Sequence, residues 1–128
     1  MNLFEATKEV LKKRGRNQGG GYNPDNGSVC LYAGMCIAIN PVALPMYTGG
    51  GHDGTWTADN SQMAHQGLNF LSERLNEMVP PKDRKCPHSP ILWNDNSKTT
   101  DDMVFDLLDR AAAHPDASRF EVNYGGTA

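Results

Sequence analysis

The sequence predicts a mainly α-helical single domain of about four helices with long loops. Three observations predict it. Residues 3–14 and 100–113 carry apolar positions at helical spacing between recognisable caps. Residues 60–79 repeat the same spacing over a longer run. The stretches between them are rich in Gly and Pro, which oppose regular structure.

In the first helix, Leu3, Ala6, Thr7, Val10 and Leu11 share one face. Asn2 followed by Glu5 forms a capping-box pattern, and Lys12, Lys13 and Arg14 suit the negative end of the dipole. Gly15 supplies the stop. Asn23-Pro24-Asp25-Asn26-Gly27 is then a turn signal, because Pro presets φ and Asn-Gly accepts positive φ. It fits either a tight loop or the tip of a small β-hairpin over 18–28.

Residues 29–39 are apolar on every side, so periodicity alone leaves helix and strand open. Ser28 as a cap, with Ala33 and Gly34 as small residues, favours a helix ended by Asn40-Pro41. Residues 40–57 read as a long loop. The helix over 60–79 presents Ala64, Leu68, Leu71, Leu75 and Met78, opens at an Asp59–Gln62 pair and stops at Pro80-Pro81. Residues 82–90 form a second loop, and Ile91, Leu92 and Trp93 a short extended anchor. The last helix starts at Thr99 or Thr100 with Asp101 and Asp102 behind the cap. It buries Val104, Leu107, Leu108 and Ala111, with Arg110 and His114 near its negative end before Pro115. The domain is expected to span 1–116. Residues 117–128 are expected to form an arm, frayed or docked through Phe120, Val122 and Tyr124.

Charge and composition narrow the function. Twelve Lys and Arg against fifteen Asp and Glu give a net charge of -3, which argues against non-specific nucleic-acid binding. No apolar stretch reaches the ~20 residues a membrane helix needs, so no membrane partner is expected. Met1 runs straight into an amphipathic segment rather than a secretory signal, and three cysteines are an odd number for a disulfide framework. A cytoplasmic protein is expected, in a host cytoplasm if the chain is phage-encoded. Leu, Ile, Val and Phe make up only 23 of 128 residues, which leaves room for a partner subunit, a homo-oligomer included, over one face.

Gln18-Gly19, Cys30-Leu31, Ala33-Gly34 and Trp93-Asn94-Asp95, followed by a Thr-capped helix with Val104, Leu108 and Ala111, form a recognisable series. On these residues the chain resembles a family of short, uncharacterised proteins of actinobacteria and their phages. The resemblance runs over most of residues 3–113 and is most specific at Trp-Asn-Asp. It departs at Ala33-Gly34, where Gly-Ala is the pattern, and at Arg16-Asn17, where Trp-Cys is. The resemblance implies a small helical fold and such a source, and no particular chemistry.

Several constellations bear on function. Cys30, in the first turn of a helix starting at Val29, would have its pKa lowered by the dipole. His65 or His52 could then act as base, with Asn94 or Asp95 orienting it and Gln18 donating to an oxyanion. A small core hydrophobe is the plainer reading of Cys30. Cys86-Pro87-His88 is one atypical ligand pair, and Cys30 and Cys36 stand six apart, so no metal and no cofactor are expected. The Gly runs at 19–21 and 49–51 lack the Lys-Ser/Thr of a phosphate loop, and His52-Asp53 reads as a solvated loop. Trp93, Asn94 and Asp95 are expected first to lock the loop onto the last helix, and alternatively to line a ligand pocket. The leading expectation is an accessory protein that binds an unknown protein partner, host or self. The rival is a thiol-dependent hydrolase or small-ligand binder using Cys30, His65 and Asp95.

Overall fold

The structure is a computed structural model that describes residues 1–19, 21–42, 56–79 and 89–124. Five α-helices succeed one another: α1 (Leu3–Arg14), α2 (Leu31–Ile39), α3 (Ala58–Met78), α4 (Pro90–Asp95) and α5 (Asp101–Ala113). A 3-10 helix over Pro115–Phe120 closes the series. The mainly helical expectation holds. α1 lies at the centre, packed on α2 and α5, while α3 covers α5 and α2 from the other side.

The local reasons are visible at the helix ends. Asn2 accepts from the N–H groups of Phe4 and Glu5, and Glu5 Oε1 accepts from Asn2 N at 2.9 Å, so the expected capping box is complete. Gly15 ends α1 at φ 87°, donating to the Leu11 carbonyl at 2.8 Å. Thr100 caps α5 through the Met103 N–H. α3 begins two residues earlier than expected, because Thr57 and Asn60 form its capping box in place of Asp59 and Gln62.

Leu3, Phe4, Val10, Leu11, Leu31, Met35, Leu71, Leu75, Leu107 and Leu108 fill the interior. Phe4 stacks on Phe70 with centroids 5.1 Å apart and meets Phe120 edge-on at 5.2 Å. Two glycines set how closely the helices approach. A Cβ on Gly67 of α3 would lie 2.8 Å from Leu3 Cδ2 and 3.0 Å from Met35 Sδ. A Cβ on Gly34 of α2 would lie 3.0 Å from Leu11 Cδ2.

Three expectations are corrected. No β-hairpin forms among the described residues 18–28. The backbone there makes only isolated bridges, Arg16 to Val29 and Tyr22 to Val29, and the turn consumes its own donors: Gly27 N bonds Asn23 O, and Ser28 N bonds Asn26 Oδ1. Ser28 is therefore held in the turn, and Cys30 rather than Ser28 caps α2. Residues 91–93 are helical and not extended, since Ser89 caps α4 and Pro90 occupies its first position. No described helix is long and apolar enough to cross a membrane. The described residues 118–122 dock: Phe120 is buried, Val122 N donates to Met1 O at 3.1 Å, and Asn2 pairs with Glu121.

Candidate functional site

The Trp-Asn-Asp segment ends α4 and sits where the loop after α1 meets the start of α5. Trp93 enters the core at 6% exposure and Asn94 is fully buried. A buried amide needs partners on both its atoms. Asn94 Oδ1 accepts from Arg16 Nη1 at 3.1 Å, and Nδ2 donates to Asn17 O at 3.1 Å and to Asp95 Oδ1 at 3.0 Å. Asp95 Oδ1 also accepts from Gly19 N at 2.9 Å.

Arg16 is the centre of this cluster, and sequence reasoning missed it. Its side chain is 5% exposed. Nε donates to Asp101 Oδ1 at 2.7 Å, Nη1 to Asn94 O at 2.8 Å and Nη2 to Thr99 O at 2.8 Å. The guanidinium thus holds the Asn94 carbonyl of α4, the Thr99 carbonyl before α5 and the first acid of α5 together, which uses the rigid fork of arginine. Gln18, considered as an oxyanion donor, spends Nε2 on the carbonyls of Asn94, Asn96 and Thr99 at 3.1, 2.8 and 3.3 Å. The basic run at 12–16 carries no local sign of this, because the partners lie far along the chain.

Cys30 stands beside this cluster as the N-cap of α2, its Sγ accepting from Ala33 N at 3.4 Å. The expectation of a lowered thiol pKa is reversed. Burial pushes the Cys30 thiol up, and the Asp95 carboxylate adds to the rise, against backbone N–H groups of Ala33 and Tyr32 that favour thiolate. Tyr32 is pushed up to about 12, by burial first and then by Cys36. Asp95 is half-buried near Cys30, whereas His65 is exposed on α3. His52, Asp53, Cys86 and His88 lie outside the described residues. Among the described residues, no group of three or more His, Cys, Asp or Glu is placed to hold a metal ion.

The cluster therefore brings together Arg16, Gln18, Asn94, Asp95, Thr99 and Asp101, with Cys30 and Trp93 at its side. Its chemistry is that of a polar staple: donors matched to carbonyls, with one buried charge compensated by Asp101. No curated protein and no solved structure matches the chain. A family model does match, over residues 1–114, and so takes in every residue of this cluster. On that match the chain belongs to DUF6197, a family of unknown function.

Proposed function

We propose that the chain is an accessory protein of a phage or an actinobacterium, acting in the cytoplasm by binding a protein partner rather than by catalysis. The observation that carries this reading is the commitment of the polar cluster to the chain itself. Asn94, Gln18 and Arg16 bond to backbone carbonyls and to one another, an arrangement that organises a surface rather than attacking a substrate. The partner is another protein or a second copy of the chain. Chemical cross-linking followed by pull-down with the purified chain tests this. A reproducible partner or a cross-linked dimer supports it, and a chain recovered alone at every concentration counts against it.

A second reading is favoured by one specific feature. The Asp95 carboxylate lies near enough to Cys30 to act on its thiol. In this reading a small ligand would lie against Trp93, Asn94 and Asp95, and Cys30 would be the nucleophile of a thiol-dependent hydrolase with His65 and Asp95. Selective alkylation of Cys30 in the folded chain at pH 7.5 supports the thiol version. A Cys30 that reacts only after denaturation removes it, and native mass spectrometry showing a bare chain removes the ligand version.

A further inference from the structure

α5 ends at His114, and the same residue begins the 3-10 helix. Its backbone N–H donates to the Ala111 carbonyl at 3.2 Å, and its φ of −70° and ψ of 139° turn the chain out of the helix. Its side chain then takes the place usually held by Ser, Thr or Asp. Nδ1 accepts from the Asp116 N–H at 3.0 Å. A ring nitrogen can accept only when it carries no proton, so this bond fixes the neutral tautomer with the proton on Nε2. The ring stands edge-on to Phe70, with centroids 5.2 Å apart and an interplanar angle of 87°.

The cap stands at the start of the segment that returns residues 115–122 to the N-terminus. The 3-10 helix seats Phe120 against Phe4 and Phe70, and the strap beyond it pairs with the N-terminal segment. Beyond the cap the strap is tied by Val122 N donating to Met1 O at 3.1 Å, by the bridge of Asn2 with Glu121, and by the ion pair of the Met1 amine with Glu121 at 3.2 Å.

We propose that His114 is a pH-sensitive latch, whose protonation at Nδ1 removes the Asp116 N–H from its acceptor and loosens the 3-10 helix that carries Phe120.

The cap exists only with Nδ1 bare, so its contribution is lost when the ring takes up a proton there. The Asp116 carboxylate lies 3.9 Å from the same Nδ1 and can receive the new N–H. That contact restores no acceptor to the Asp116 amide, so the backbone there is released. Other charges on the packed elements include Arg110 one turn back and Asp109 on α5, Glu5 on α1, Arg119 on the 3-10 helix, and Arg74 on α3. Arg74 lies over Phe70 at 4.7 Å and is paired with Glu73 and Glu77. Arg74 is therefore compensated, and Asp116 is the acid nearest the ring.

Amide hydrogen exchange by NMR on the full chain at pH 7.5 and pH 5.0, corrected for intrinsic rates, tests the latch. An N-cap of about 1 kcal/mol corresponds to a loss of about fivefold in protection of the Asp116 amide at pH 5.0, with a smaller loss at Val122. His114→Asn supplies an acceptor at both pH values and does not titrate, so its Asp116 protection is expected to stay constant. His114→Ala is expected to show the low value at both. Protection that stays constant in the unsubstituted chain, or that falls equally in His114→Asn, overturns the proposal. So does a ring nitrogen spectrum at pH 7.5 that places the proton on Nδ1.

Discussion

The interior of the bundle and the staple around Arg16 hold the same helices by opposite means. In the interior, α1, α2, α3 and α5 meet through Leu, Met and Phe side chains, and Gly34 and Gly67 let them approach. At the staple, α4 and the start of α5 are fixed to the loop after α1 by a guanidinium and two amides aimed at carbonyls. Apolar packing is non-directional and distributes its stabilisation over many contacts. A buried polar cluster concentrates it, since a missing partner leaves another group unsatisfied. The interior should thus respond to substitution in proportion to volume, and the staple in proportion to the partners abandoned.

The largest effect is expected in the interior. Phe4→Ala removes the ring shared by Phe70 and Phe120 and is expected to cost about 3–5 kcal/mol, read as a lower midpoint in urea unfolding with an unchanged slope. Asn94→Ala is expected to cost about 1–3 kcal/mol, because Arg16 Nη1 and Asn17 O each lose a partner in a buried place. Arg16 and Asn94 should also couple. In a double-substitution cycle, a sum equal to the two single effects would show that the staple is not a unit and would break the comparison. Gly67→Ala is expected to cost about 1 kcal/mol net, overpacking against Leu3 and Met35 outweighing the gain in helix propensity. At the small end, Lys8→Ala is expected to change stability by about 0.5 kcal/mol or less. Its ion pair with Asp109, at 2.8 Å, is largely solvent-facing.

The raised groups on α2 and its cap give a pH test. Burial pushes Tyr32 up to about 12 in the folded chain, above the ordinary value of 10. Its neutral phenol thus contributes stability in full below pH 10, and that contribution is lost as pH rises towards 12. Absorbance at 295 nm should show a late step that disappears in Tyr32→Phe. Cys30 is expected to react slowly with iodoacetamide at pH 8 and to accelerate only at higher pH or on denaturation. Alkylation at the rate of a free thiol at pH 8 contradicts the buried cap.

Legibility in the sequence divides along the same line. Asn2 with Glu5, and Thr100 with Asp101 and Asp102, announce α1 and α5, because caps and dipole are local matters of three or four residues. The apolar stripes of α1, α3 and α5 announce most of the interior. The segment 29–39 resists, since a helix buried all round has no period to read. Its start is obscured because Ser28 is claimed by the turn. The Trp-Asn-Asp segment reads in sequence as a tie between a loop and the last helix. Its principal partner there is invisible, since Arg16 looks like one more cation at a helix end. The constellation of Cys30, His65 and Asp95 is brought together only in part, with Asp95 near Cys30 and His65 exposed on α3.

The distance along the chain that hides the staple also sets when it can form. The bond from Arg16 to Asn94 closes a span of 78 residues, and that to Asp101 a span of 85. α1 and α2 are neighbours in sequence, separated by 16 residues, and pack on each other. Loop closure must be completed before a distant contact contributes, so the α1–α2 pair is expected to assemble before the Arg16 contacts form. Weakening Arg16 should accordingly hasten unfolding and leave the folding rate nearly unchanged, which makes this guanidinium a determinant of how long the native state lasts.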